Sequence, residues 1–334
     1  MATLLLTNFI NSTPEIMESD EEILLKKIKF GLFLSFQIPS IICHLFLIYH
    51  LIHDRLLRVA LRNHVILVLL ILNFLLVTID LSIVLDFLYI GYIREKTVQV
   101  CQTWNLLDSF LSNSSSFLML WASIERHIII FHDRQFHNTQ LKRILLHYTP
   151  LVIIFIYTFS FYIVVIFFYS GCSNAAHFRS DVMFCGKACY VHQNVTLSVF
   201  ELTTHRILSS MLIFVFSFAL VARIIIRKLR RHQRVRWQQQ RKMTVQFLCI
   251  SILYFLGTLP PGVGELLHVL SGERTDGHES EVQEEIFLYL FYFTSLLLPF
   301  VCLMSLPEVY AKLFCLKRRN RVEKGPSVEG RDRA

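Results

Sequence analysis

The chain is 334 residues long, 54% of them apolar or aromatic and only 17% charged, with 29 phenylalanines against 11 glycines and 8 prolines. That composition excludes disordered, collagen-like and coiled-coil chains, and a mean hydropathy of +0.51 points away from a soluble domain. The formal net charge of +8 is distributed by loop, as membrane topology requires, so no nucleic-acid partner is expected from it.

A helix needs about 20 mainly apolar residues to cross hydrocarbon about 30 Å thick. Seven stretches meet that length in chain order: 30–52, 65–89, 104–130, 144–168, 207–226, 245–267 and 286–306. They are too long for the short alternating strands of a membrane barrel, so backbone satisfaction in lipid predicts helices. The predicted fold is an all-α membrane protein: an extracellular N-terminal segment 1–29, a seven-transmembrane helix bundle 30–306 and a cytoplasmic tail 307–334. In the tail, Val309, Tyr310, Leu313 and Phe314 give one apolar face at helical spacing. This predicts a short amphipathic eighth helix lying on membrane lipids, with Cys315 as a candidate palmitoylation site or a free thiol.

Charge sets the expected orientation. With the N-terminus outside, 24 of the 33 basic residues fall on the cytoplasmic side. Among them are Arg55, Arg58 and Arg62 in the first loop, and nine Lys or Arg with no acid between Arg223 and Lys242. The outer side then holds 16 acids, which is the positive-inside pattern. The sequons at Asn11 and Asn194 both fall outside under this topology and are candidate glycosylation sites. So do Cys101, Cys172, Cys185 and Cys189, which permit three pairings. An oxidising exterior favours at least one bond, and Cys101 joined to Cys185 or to Cys189 would pin the second outer loop over the bundle.

From Cys101 to Arg126 the third span advances 25 residues, about 37 Å along a helix, so a thiol stands at one membrane face and a guanidinium at the other. Cys101, Trp104, Asp108, Ser112 and Ser115 recur on one face between them. With Cys101 at its start and Glu125-Arg126-His127 at its end, the span resembles the third helix of the rhodopsin-like (class A) G-protein-coupled receptors, which runs from a loop-bonded cysteine to Asp/Glu-Arg-Tyr. Asn63 and Asn73 fit the spacing of that family's second helix, with Asn73 in place of its sodium-site aspartate. Gly257-Thr258-Leu259-Pro260-Pro261 stands where the family has Cys-Trp-x-Pro, and Leu298-Pro299-Phe300-Val301-Cys302 where it has Asn-Pro-x-x-Tyr.

The resemblance implies a plasma-membrane receptor that binds an extracellular small molecule or peptide, whether an amine, a peptide or a chemosensory molecule, and signals to a heterotrimeric G protein. It implies a resting pair between Arg126 and Glu125, broken when Arg126 turns toward the G protein. The stretch 237–242 offers no acid as a second partner, which predicts a loose latch. Asn73 and Ser115 would share a water network, and without an aspartate at 73 sodium modulation should be weak or absent. Pro260 and Pro299 remove backbone bonds and bend their helices; with Gly257, Gly262 and Gly264 nearby, the sixth span is either the moving element or a static kink.

Cys-x-x-Trp-x-x-x-Asp is similar to the pattern of biogenic-amine receptors, which implies Trp104, Asp108 and Ser112 as ligand contacts. Asp108 as a generic polar anchor, protonated or hydrogen-bonded to Ser112, is the other reading. Asp80, also inside a span, is either functional or a carboxyl bonded to the first or seventh helix. A rival class is a transporter or channel with Asp80 and Asp108 as an ion or proton path, although the paired repeats usual in transporters are not visible. No P-loop, zinc-helix motif or nucleophile elbow is present, so no enzyme activity, cofactor or metal is expected.

Overall fold

A computed structural model of the chain describes residues 20–59, 61–94, 97–131, 144–169, 183–186, 188–231, 237–271 and 278–305. The sequon at Asn11, the eighth helix and Cys315 lie outside the described residues. Seven rods, joined by short helical turns at Arg55–Val59, Met183–Cys185 and Cys189–Gln193, make up the described residues. They are α1 Asp20–His53, α2 (Leu61–Leu75, a π-turn Leu76–Asp80, then Leu81–Ile90) and α3 Val98–Phe131. After these come α4 (π-turn Ile144–Tyr148, then Thr149–Phe167) and α5 (Val195–Glu201, π-turn Leu202–Leu208, then Ser209–Arg231). The last two are α6 Trp237–Ser271 and α7 His278–Ser305.

Successive rods pack side by side and α7 closes the ring against α1, while α3 runs through the middle and touches α2, α4 and α5. Side chains such as Ile153, Ile156, Val215, Phe218 and Leu267 point outward, as a lipid-facing surface requires. Six helices are long and apolar enough to cross a membrane. The seventh, α3, is 34 residues long, yet the serines, Asn105 and Asp108 along it keep it out of that set. Its central position explains why it tolerates them: its polar stripe faces protein on nearly every side.

The fifth predicted span needs a correction. It was expected to begin at residue 207, but α5 is helical from Val195, so Glu201, His205 and Arg206 belong to a membrane helix rather than a loop. Asn194 starts that helix, its Oδ1 accepting from the Leu197 N–H at 3.0 Å, a side-chain N-cap.

The π-turns carry a second lesson. In α2 the Leu81 N–H reaches back to the Leu76 carbonyl, so the Val77 carbonyl loses its intrahelical donor. Gln37 of α1 fills it, Nε2 donating at 2.8 Å. Proline opens another carbonyl in α7: Pro299 has no N–H to give Ser295, and Asn73 Nδ2 of α2 donates to that oxygen at 2.7 Å. In both helices the carbonyl released by a local break accepts from a neighbouring helix, as a lipid-bound backbone requires.

Candidate functional site

At the Arg126 end of α3 the carboxylate, the guanidinium and the imidazole of Glu125-Arg126-His127 go three different ways. Glu125 is buried and takes a short hydrogen bond from His147 Nδ1, a fully buried ring in the first turn of α4. This corrects the resting Glu125–Arg126 pair: adjacent residues on a helix diverge by about 100°, and Glu125 turns toward α4. Arg126, 7% exposed, lays its guanidinium over the Phe247 ring of α6 at 4.0 Å. His127 Nε2 donates to the Phe216 carbonyl of α5 at 2.7 Å. One helix foot is thereby fastened to α4, α6 and α5.

Halfway along the bundle, Asn73 gives one N–H to Ser295 and the other to His44 Nε2 of α1 at 3.0 Å. The His44 Nδ1–H donates in turn to the Ser40 carbonyl at 2.9 Å, which fixes the tautomer. A small cavity opens beside it, lined by Asn73, Ser112, Ser115, Tyr254, Thr258 and Ser295 together with Leu76, Phe291 and Leu298 among others. Ser112 and Ser115 thus face the same space as Asn73, on uncharged groups alone.

Toward the Cys101 end lies a buried carboxylate with both oxygens engaged. Asp80 accepts from the Trp104 indole N–H at 2.7 Å and from the Tyr292 hydroxyl, tying α2 to α3 and α7. Trp104 is 1% exposed, so its indole serves Asp80 and packs tilted against Phe184, ring centroids 4.8 Å apart. Above it, Cys101 is bonded to Cys185 with the Cα atoms 5.7 Å apart, which settles the first partner; Cys189 is also disulfide-bonded. Phe184, Cys185 and Gly186 all have left-handed φ, +57°, +57° and +80°, costly for the first two. The strap is held down by the disulfide and by Asn105 Nδ2, which donates to the Phe184 carbonyl at 3.0 Å.

Asp108 stands one turn from Ser112 toward Cys101. Ser112 Oγ donates to the Ser109 carbonyl instead, so the Asp108–Ser112 anchor is not formed. Among the described residues the Asp108 carboxylate makes no hydrogen bond or ion pair. Its charged surroundings are Asp80, Arg206, Glu265 and Glu201, three acids and one base. Arg206 Nη1 is itself paired with Glu265 Oε2 of α6 at 3.0 Å.

The longest polar chain was missed in the sequence. Glu201 accepts from Tyr162 at 2.9 Å and Tyr190 at 3.3 Å, while His205 bridges Tyr162 at 3.1 Å and Tyr157 at 2.9 Å. With Tyr162 donating to Glu201, its oxygen is free to accept from His205 Nδ1–H, and Nε2 then accepts from Tyr157. A glutamate and a histidine one turn apart, both buried, would have signalled it had the span been placed twelve residues earlier. Pro260, Pro261 and Pro299 all lie inside helices.

No curated protein matches the chain. A family model described as 7 transmembrane receptor (rhodopsin family) matches residues 44–302, a stretch that reaches from His44 on α1 to Cys302 on α7 and takes in the disulfide, the central α3 and the Glu125-Arg126-His127 foot. The chain therefore belongs to the rhodopsin family of seven-transmembrane receptors, whose members are receptors that signal through G proteins and not enzymes.

Proposed function

We propose that this receptor lies in the plasma membrane with its N-terminus outside and binds an extracellular organic cation, an amine or a basic peptide, at Asp108. The observation that carries the reading is the Asp108 carboxylate, which has no hydrogen-bond partner among the described residues and lies in a predominantly acidic neighbourhood. A carboxylate withdrawn from water gains most from a cation that arrives with its own donors. Ser112 sits one turn deeper and supplies a hydroxyl; Trp104 supports the site from behind through Asp80. The basic loops support that orientation by the positive-inside rule. Ligand binding then shifts a two-state bundle toward the form in which Arg126 leaves Phe247 and meets the G protein.

The transporter reading loses its relay at Asp80, because both oxygens there are committed to Trp104 and Tyr292. Reconstituted receptor with added G protein tests the proposal. A panel of amines and basic peptides should include members that stimulate guanine-nucleotide exchange. Asp108→Asn should weaken such a ligand by about tenfold to a hundredfold, the worth of one charge-assisted contact, and Arg126→Ala should abolish exchange. Stimulation by neutral or acidic ligands alone, indifferent to Asp108→Asn, refutes it.

A further inference from the structure

We propose that the ligand of this receptor is a zwitterion, a molecule such as a free amino acid that gives its ammonium to Asp108 and its carboxylate to Arg206. The inference rests on the cation site proposed above and adds what the other end of the ligand must carry. Its first support is placement. On α3, Ser112 lines the cavity beside Asn73, and Asp108 stands four residues nearer Cys101. On α5, Ser210 Oγ lies 2.5 Å from Oγ1 of Thr258, which lines the same cavity, and Arg206 stands four residues nearer Val195. The two helices run the same way through the bundle and pack together. Asp108 and Arg206 therefore stand at one level, each a turn, about 6 Å, toward the Cys101 side of one cavity.

The second support is the balance of unspent charge. Around Asp108 stand Asp80, Glu201, Glu265 and Arg206. Asp80 accepts from Trp104 and Tyr292, each oxygen of Glu201 accepts from a tyrosine, and Glu265 is bonded to Arg206. Among the described residues Asp108 has no partner, while Arg206 commits only Nη1 to an acceptor, Glu265 Oε2 at 3.0 Å, out of the five N–H donors of a guanidinium. The Arg206 side chain is 29% exposed, so the rest of its fork is not sealed against protein. The outer half of the bundle thus leaves unanswered one carboxylate and most of one guanidinium. A diamine would satisfy the first and be repelled by the second. A zwitterion satisfies both, and a guanidinium takes a carboxylate through two parallel bonds. The turn that carries Arg206 is braced from the other side, where His205 is bonded to Tyr157 and Tyr162 of α4.

The test uses the full chain, read by nucleotide exchange on added G protein and, without G protein, by the melting temperature of the purified receptor against ligand concentration. The probes are the common free amino acids, each beside its decarboxylated amine, its carboxamide and its N-acetyl acid. At least one amino acid should raise the melting temperature and stimulate exchange, with its three relatives about ten- to a hundredfold weaker, the worth of one charge-assisted contact at either end. Arg206→Gln should weaken that amino acid by a similar factor and erase most of its advantage over the carboxamide, and Arg206→Lys should recover part of the loss. Because Arg206→Gln alone strands Glu265, the comparison is repeated with Glu265→Gln as the parent, where adding Arg206→Gln should again remove the preference for a free carboxylate. Amines or carboxamides as potent as the amino acids, lost in Asp108→Asn and indifferent to Arg206→Gln, overturn the zwitterion and leave the cation site standing. Amino acids bound equally well by Asp108→Asn overturn both, and a panel in which no amino acid binds overturns the zwitterion.

Discussion

Asp80 shows how one buried charge can organise three helices. Its two oxygens are answered by donors from α3 and α7, and among the described residues neither donor has another acceptor. Trp104→Phe or Tyr292→Phe should each lower stability by about 1–3 kcal/mol, the cost of leaving a buried acceptor unmet, seen as a lower melting temperature of the purified receptor. A loss of ligand affinity without a change in melting would instead put the Trp104 indole in contact with the ligand. Asn73 makes the converse case. Both of its amide hydrogens are spent on Ser295 and His44, and no charge is present to hold a cation. Agonist affinity should therefore change less than about twofold between sodium and a large organic cation at equal ionic strength, since screening is then constant. A larger sodium-dependent shift that disappears in Asn73→Ala contradicts this account. The sequence displayed Asp80, Trp104 and Asn73 as polar groups in apolar spans, and hence as important. It could not display who answers them, because Tyr292 is 212 positions from Asp80 and Ser295 is 222 from Asn73.

Each of the three π-turns among the described residues carries a buried ionisable or imidazole side chain: Asp80 in α2, His147 in α4 and His205 in α5. A wide turn inserts a residue into the 3.6-residue period, which swings the following side chains to a new face and leaves a carbonyl for a neighbour. Hydrophobic periodicity is blind to this, so the seven spans were legible while the placement of Glu201 and His205 was not. The glycines of α6 were legible as landmarks and differ in use from the flexible hinge they suggested. A Cβ at Gly257 would lie 2.6 Å from Thr294 Oγ1, and one at Gly264 would lie 2.3 Å from Phe287 Cε2. Seven residues apart, facing partners seven apart, they form a close seam between α6 and α7 of the kind small residues allow in membranes. Gly264→Ala and Gly257→Ala should cost about 1–3 kcal/mol each through overpacking, whereas Gly262→Ala, whose nearest neighbour is Arg206 Cβ at 3.2 Å, should cost less. The order of melting temperatures checks this, and equal tolerance at all three positions would remove the seam. The seam straddles Pro260, from Gly257 on its Arg126 side to Gly264 on its Cys101 side, so the freedom to swing lies on the Arg126 side of Gly257.

Across the whole molecule, α3 is the axis, and its two ends are secured by different chemistry. At the Arg126 end the fastenings are a carboxylate–imidazole pair, an aromatic face and a carbonyl, all of which can be made and broken within the membrane. At the Cys101 end a covalent bond spans 84 residues of chain and holds three left-handed residues against Trp104 and Asn105. Opening that bond should therefore act locally. In the double variant Cys101→Ser, Cys185→Ser the strap loses its tether, which is worth about 2–4 kcal/mol for a loop of this order, and the left-handed conformations at Phe184 and Cys185 lose what compensates them. Ligand affinity and melting temperature should both fall. Basal nucleotide exchange, governed by contacts about 37 Å away along α3, should stay within about twofold of the parent, because additivity holds between distant sites without shared partners. A rise in basal exchange matching the loss of affinity would mean that the strap also restrains the resting bundle, and the two ends of α3 would then have to be treated as one coupled lock.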